Sequence, residues 1–157
     1  MSKFNIKTLI KASNDIILVI LQFCLIILHF IKFQFLPKME IMQVNSIFRF
    51  VGFLIIIIAS IVLLLAIKDL GSNLSPFPKP ISNGNLVTSG IYRFIRHPMY
   101  YSLIFISLGV FIIKLSFYYL CLTISLILVI KLKIILEEQY LNNRFKNYLS
   151  YKNKVKY

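Results

Sequence analysis

Two groups of polar residues interrupt an otherwise apolar chain and could do chemistry together. The first group lies between residues 90 and 100 and comprises Tyr92, Arg96, His97 and Tyr100. The second group is the pair Glu137-Glu138. Arginine, histidine and the exposed N–H groups of a helix start are donors for a carboxylate. A glutamate can hold a cationic amino group, so the two groups together suit a zwitterionic ligand.

Each of these residues also has an interpretation without chemistry. The glutamates could lie on a solvated face, or Glu137 could pair with Lys133 at i,i+4, a contact worth only tenths of a kcal/mol. His97 could simply cap a helix, and Arg96 could bind lipid phosphate. The tyrosines could anchor a helix at the membrane interface. Residue spacing alone leaves these alternatives open.

The elements that must position the polar residues are four apolar stretches, at residues 16–31, 47–67, 99–113 and 115–130. A helix needs roughly 20 apolar residues to cross a bilayer. The last two stretches together are too long for one crossing and suit a helical hairpin. The sequence therefore predicts an all-α fold: a polytopic membrane helical bundle of about four transmembrane helices, with a C-terminal hairpin and a cytosolic tail helix.

The predicted hairpin brings the two polar groups to the same end of the bundle. Its first helix begins at Pro98, since proline suits the first turn of a helix. The chain turns near Lys114 and returns to Glu137, which places that residue about one turn beyond the level of His97. The preceding segment, residues 68–97, is called the middle loop. It contains three alternating prolines and an Asn-Gly turn, which favour extended chain over helix.

Composition places the chain in a membrane. Hydrophobic residues make up 59% of it, and 18 Lys+Arg against 5 Asp+Glu give a net charge of +13. Because the basic residues separate long apolar runs, we interpret them as topology signals and contacts to anionic head groups, and we expect no nucleic-acid partner. The two cysteines, Cys24 and Cys121, lie inside apolar runs without metal-ligand spacing, so no metal site is predicted.

The basic residues also predict the orientation. Three lie in the N-terminal arm (Lys3, Lys7 and Lys11), four in the middle loop and seven in the tail, against four in the other two connections, among them Lys32, Lys38 and Lys114. The positive-inside rule then places both termini and the middle loop in the cytosol. The N-terminal run is interpreted as an uncleaved first helix. A composition rich in Ile, Lys and Asn is typical of an AT-rich bacterial genome and indicates an inner membrane.

The polar residues carry a resemblance to a known group of enzymes. The segment Leu86-Val87-Thr88-Ser89-Gly90-Ile91-Tyr92-Arg93-Phe94-Ile95-Arg96-His97-Pro98-Met99-Tyr100 has the pattern G-x-Y-x-x-x-R-H-P-x-Y, and E-E-x-x-L-x-x-x-F follows from Glu137. These motifs resemble the isoprenylcysteine carboxyl methyltransferase and phospholipid methyltransferase superfamily over roughly residues 70–155. The sequence departs from that family at Lys146, where a glycine is usual.

The resemblance implies a methyltransferase that binds S-adenosyl-L-methionine at the cytosolic mouth of the bundle. It also implies a lipophilic acceptor, such as a phospholipid or an isoprenylcysteine carboxylate, that enters sideways from the lipid bilayer. Carried over by position, the cofactor-binding residues are Leu86, Val87, Tyr92, Arg96, His97, Pro98, Tyr100, Glu137 and Glu138. The acceptor-binding residues are not identified by the motifs, and Lys133 is the nearest basic candidate.

Two other functions remain open at this point. Membrane reductases that use a nicotinamide cofactor share the C-terminal architecture, and a small non-enzymatic assembly or anchoring protein would share the apolar composition. We treat residues 1–157 as a single membrane domain, with 1–67 as two scaffold helices and 68–157 as the cofactor-binding part. His29, in the first helix, is interpreted as a buried or interfacial histidine.

Overall fold

The computed structural model describes residues 6–31 and 45–155, with side chains from residue 15 onward. These ranges contain five α-helices and no strand, which confirms the predicted all-α class. The helices are α1 (Ile6–Leu28), α2 (Ser46–Leu70), α3 (Pro98–Lys114), α4 (Phe117–Arg144) and α5 (Tyr148–Lys154). Two short 3₁₀ turns, Gly71–Asn73 and Gly90–Arg93, flank the middle loop. Lys3, Lys32 and Lys38, used in the charge count, lie outside the described residues.

Two described helices are long and apolar enough to cross a bilayer: Ser46–Asn73 and Phe117–Arg144. The apolar part of α1 (Asp15–Leu28) and α3 are shorter. Large apolar side chains cover the outside of the bundle; Phe50 is 69% exposed and Leu64 is 66% exposed. A surface of this kind is stable against lipid and costly in water.

α4 continues well past the predicted apolar stretch, which ended near residue 130, and stops at Arg144. Hydropathy marks where a helix leaves the membrane and carries no information on where the helix itself ends. Lysine, leucine and glutamate are all strong helix formers, so the polar final turns remain helical. This extension carries Glu137 and Glu138 on a rigid element.

The predicted hairpin between α3 and α4 is present and turns at the predicted place. Leu115 adopts a left-handed conformation (φ 40°), and its N–H donates to the Phe111 carbonyl at 2.7 Å. Ser107 on α3 and Thr123 on α4 share a hydrogen bond of 2.8 Å in the buried interface. His29, which was interpreted as buried or interfacial, is half-buried, and its Nε2 lies 2.7 Å from the Ser107 hydroxyl.

Small residues let α2 approach α3 closely. Gly52, Ala59 and Ala66 recur every seven residues along α2 and are all buried. A Cβ atom on Gly52 would lie 2.8 Å from the carbonyl oxygen of Gly109, and the converse holds for Gly109. Close backbone approach through small residues is the usual way helices associate in membranes. It fixes α3, and with it the start of the functional site.

Candidate functional site

A cleft of about 860 Å³, including its open mouth, lies where α3 begins and α4 ends. Seven of the nine residues that the resemblance singled out line it: Leu86, Val87, Tyr92, Arg96, His97, Tyr100 and Glu137. Pro98 and Glu138 are outside its wall. Pro98 occupies the first turn of α3, as predicted, and Glu138 lies behind the wall. Two sequence segments 40 residues apart therefore meet in one cavity.

One wall of the cleft is the middle loop, which is held in place by Arg144 at the end of α4. The guanidinium donates to four carbonyl oxygens of the loop: Pro80 (3.3 Å), Ile81 (2.5 Å), Ser82 (2.5 Å) and Gly84 (3.1 Å). The backbone N–H of Asn85 donates to the Asn73 side chain at 2.9 Å. A segment without regular secondary structure is thus fixed by side chains that satisfy its backbone groups.

A contact between Asp69 and Gly90 sets the position of the next segment. The Asp69 carboxylate accepts a hydrogen bond of 2.7 Å from the Ile91 backbone N–H. Gly90 has φ 59°, and a Cβ atom there would lie 1.9 Å from the Asp69 carboxylate. Only glycine permits both the left-handed backbone and this close approach. The glycine of the sequence motif is therefore explained by the structure.

Glu138 is the centre of an ion cluster beneath the cleft. Its Oε1 atom lies 3.1 Å from Arg96 Nη2 and 3.3 Å from His97 Nε2, while its Oε2 accepts from Lys152 Nζ at 2.6 Å. The predicted proximity of the two polar groups is therefore confirmed. The carboxylate is shared among three basic side chains of the protein, so Glu138 acts on the cleft through Arg96 and His97.

The C-terminal segment closes one side of the cleft and is tied down by the same arginine. Arg96 Nη1 donates to the carbonyls of Val155 (2.5 Å) and Lys152 (3.2 Å) at the end of α5. The Tyr151 hydroxyl donates to the Tyr92 carbonyl at 2.6 Å. These bonds join α5 to the 3₁₀ turn that precedes α3.

Two buried donors at the cleft have no hydrogen-bond partner among the described residues. They are Arg96 Nε and the hydroxyl of Tyr148, and both residues line the cleft. Burial, together with the nearby Glu138 carboxylate, raises the pKa of Tyr148, so its phenol keeps its proton and remains a donor. Unpartnered buried donors are costly. Both atoms lie behind the surface of the cleft wall.

Glu137 and an aromatic pair provide the complementary features. The Tyr100 hydroxyl lies beside the Glu137 carboxylate. The rings of Tyr100 and His97 stack with centroids 5.9 Å apart and planes at 24°. Burial and the Glu137 carboxylate raise the pKa of Tyr92, which therefore stays neutral. The cleft thus combines an acceptor for a cation, donors for an anion and flat surfaces for a ring.

The sequence patterns missed several residues that build the site. Asp69, Arg144 and Tyr148 were not singled out as site residues, although each contacts or lines the cleft or its loop. The available signal for Asp69 was a single acid at the end of an apolar helix, which is costly unless it has a partner. Tyr148 belonged to the run of residues that carries the resemblance, but it was given no role. For Arg144, position in the tail gave no comparable signal.

Comparison with known proteins places these features in a family. A family model described as "Phospholipid methyltransferase" matches residues 47–148. The match begins at the start of α2, spans the cleft loop and the hairpin, and ends at the beginning of α5. A search of the curated proteins finds no match.

Proposed function

We infer the function of this protein from its family, because the chain belongs to the phospholipid methyltransferase family. The protein is accordingly a membrane protein of a methyltransferase family. Our proposal is that it transfers a methyl group from S-adenosyl-L-methionine to a lipophilic acceptor. The acceptor class is a phospholipid-like amine or an isoprenylcysteine-like carboxylate.

The observation that carries the proposal is the juxtaposition, in one cleft, of the Glu137 carboxylate with the basic side chains of Arg96 and His97. S-adenosylmethionine carries an amino group, a carboxylate and an adenine ring. Glu137 would hold the amino group, and the basic side chains of Arg96 and His97 in the cleft wall would attract the carboxylate. Leu86, Val87 and the stacked ring of Tyr100 would contact the adenine. The donor set and the ligand therefore fit group by group.

Methyl transfer requires little from the protein beyond the correct placement of the two reactants. The cofactor supplies a methyl group already activated on a sulfonium. The residues of this chain orient the two reactants and exclude water, which accounts for much of the rate enhancement in such transfers. Arg144 and Asp69 contribute by fixing the loop and the 3₁₀ turn that wall the cleft. A carboxylate acceptor needs no base, whereas an amine acceptor must lose its proton before it attacks.

The acceptor would reach the cleft from the lipid. α4 carries Glu137 in its last three turns and is one of the two helices able to cross a bilayer. The apolar exterior of α2 and α4 lies against the same bilayer that dissolves a lipid acceptor. We place both termini, and with them the cleft, on the cytosolic side of a bacterial inner membrane.

Ligand-dependent thermal shifts of the detergent-solubilised protein test the cofactor. S-adenosylmethionine and S-adenosylhomocysteine should raise the Tm, and NADPH should not. Glu137→Gln should weaken S-adenosylmethionine binding by about 10- to 150-fold, the equivalent of one charge-assisted hydrogen bond. Lys114→Gln removes a charge at the opposite end of the hairpin and serves as the control. Stabilisation by NADPH alone would refute the proposal in favour of a reductase.

Methyl transfer itself identifies the acceptor. Membranes containing the protein would be incubated with methyl-labelled cofactor, and extracted lipids analysed by mass spectrometry. Label in an amine head group indicates a phospholipid acceptor, and label in an ester indicates a carboxylate. Absence of label from every lipid, in a protein that binds the cofactor, would contradict a lipophilic acceptor.

A further inference from the structure

Lys133 is a buried cation that joins three elements around the cleft. It lies on α4, one turn before Glu137, and is 1% exposed. Its ammonium donates to Gln22 Oε1 on α1 at 2.5 Å and to the Pro76 carbonyl in the middle loop at 2.9 Å. It also lies 5.3 Å from the centre of the Tyr100 ring on α3. α1, the loop and α3 therefore share one side chain.

The partners of this ammonium are unusual because the two oxygens that accept its hydrogen bonds are neutral. A buried charge is costly unless hydrogen bonds and nearby charges compensate it. If one of these oxygens were removed, the ammonium would need another acceptor. The Glu137 carboxylate, four residues along the same helix face, is the nearest in sequence.

We propose that Gln22 is a positioning residue of the cleft, acting through Lys133; this inference rests on the proposed function. By accepting from Lys133, Gln22 keeps the ammonium directed toward the Pro76 carbonyl and the Tyr100 ring. The ammonium then holds the loop segment that includes Phe77 and Pro78, both in the cleft wall. It also leaves the Glu137 carboxylate available to the cofactor amino group.

The proposal gives α1 a role beyond that of a scaffold. Gln22 lies outside residues 47–148, the part of the chain that matches the family. It is buried, as is Asp15 one heptad earlier, whose carboxylate accepts from the Tyr140 hydroxyl at 2.7 Å. Asp15 and Gln22 on α1, together with His29 directly after it, thus form a polar stripe of period seven. Of the three, Gln22 contacts Lys133, whose ammonium lies 5.3 Å from the centre of the Tyr100 ring in the cleft wall.

The test compares two variants of this stripe. Gln22→Leu should weaken S-adenosylhomocysteine binding about tenfold, the loss of one charge-assisted hydrogen bond. Gln22→Glu should retain binding, because its carboxylate still accepts from Lys133. His29→Leu removes a hydrogen bond from the same stripe, to Ser107, and is the matched control. It should lower the Tm without changing affinity. Equal losses of affinity in Gln22→Leu and His29→Leu would reduce Gln22 to a structural residue.

A double-mutant cycle shows whether the effect passes through Lys133. In a Lys133→Met background, Gln22→Leu should cause no further loss of affinity, because coupled residues are not additive. The same tenfold loss in both backgrounds would overturn the proposal.

A cofactor-independent measurement separates this inference from the proposed function. Hydrogen exchange of the unliganded protein should be faster at residues 74–81 in Gln22→Leu than in the wild type or His29→Leu. If the wild type bound no S-adenosylhomocysteine, the proposed function would fail. The exchange rates at residues 74–81 would still show whether Gln22 positions the loop through Lys133. Unchanged exchange, with unchanged affinity, would refute the link itself.

Discussion

The Glu138 carboxylate lies 3.1 Å from the Arg96 guanidinium, and this contact gives two adjacent glutamates different roles. Glu138 is held by three basic side chains and organises the wall of the cleft. Glu137 lines the cleft itself. The next residue along a helix is rotated by about 100°, so only one of the pair can face the ligand. The E-E motif therefore provides one carboxylate that lines the cleft and one that centres an ion cluster.

Glu138→Gln should weaken cofactor binding without unfolding the protein. The change removes the negative charge that holds Arg96 and His97, so both side chains lose their fixed position. We expect a loss of about tenfold or more in affinity, and His97→Ala should act in the same direction. Isothermal titration with S-adenosylhomocysteine measures the effect.

The control for this prediction is Lys152→Gln, in the same ion cluster. The Lys152 side chain is 42% exposed, and exposed ion pairs contribute little. Its affinity should stay close to that of the wild type. Wild-type affinity in well-folded Glu138→Gln and His97→Ala proteins would show that the cluster does not support a cofactor site.

Gly90→Ala should destabilise the protein and disturb the cleft. A Cβ atom would collide with the Asp69 carboxylate and force apart its hydrogen bond with Ile91. Gly71→Ala is the matched control, since Gly71 also has positive φ (52°) but nothing lies within 4 Å of its Cβ position. Gly71→Ala should cost about 1–3 kcal/mol from backbone strain alone.

Gly90→Ala should cost more, because about 1–3 kcal/mol for the disrupted hydrogen bond adds to the same strain. Thermal unfolding in detergent compares the two variants, and cofactor titration shows whether the cleft is affected. Equal Tm losses in both variants would show that the Asp69 contact contributes nothing.

Stability should fall steeply above about pH 10, the ordinary tyrosine pKa. Burial raises the pKa of Tyr151 to about 12, although Arg96 lowers it in part. The pKa values of Tyr92 and Tyr148 are raised as well. Between about pH 10 and the raised values, the unfolded chain loses phenolic protons that the folded protein keeps, so unfolding becomes more favourable. Below pH 10 this contribution to stability is fully present.

Tm measurements across pH 8 to 11, about the range in which tyrosine begins to ionise, test this dependence. Tyr151→Phe should lower the Tm at neutral pH, because the bond to the Tyr92 carbonyl is lost. Its Tm should nevertheless decline less steeply with rising pH than that of the wild type. An identical slope would mean that Tyr151 does not titrate differently in the folded and unfolded states.

The Lys114 turn and the C-terminal segment should lie on opposite sides of the membrane. α3 begins and α4 ends at the cleft, whereas Lys114 is at the other end of the hairpin. From the charge distribution we expect the cleft end to be cytosolic. Impermeant thiol labelling of Lys114→Cys and Lys154→Cys, in a protein with Cys24 and Cys121 replaced by alanine, checks this. Labelling of both positions from the same side would contradict the topology.

The sequence by itself determined the class of fold and the meeting of the two polar groups. Apolar stretches are visible in a sequence because the bilayer fixes the length and composition of a crossing helix. The Lys114 turn followed from the same length limit, and it brought His97 within reach of Glu138. The motif from Gly90 to Tyr100 was sufficient to predict the family, because its residues are close together in the sequence and their spacing can be recognised without the structure.

Only the tertiary structure decided which side chains face the cleft and which support it. Three contacts join residues that are far apart in the sequence. Asp69 and Ile91 are separated by 22 positions, Arg144 and Ile81 by 63, and Gln22 and Lys133 by 111. Such pairs depend on how far each helix is rotated about its axis and how closely its neighbours approach, which small residues such as Gly52 and Gly109 allow. Helix rotation is set by packing of the whole bundle, so no local pattern reports it.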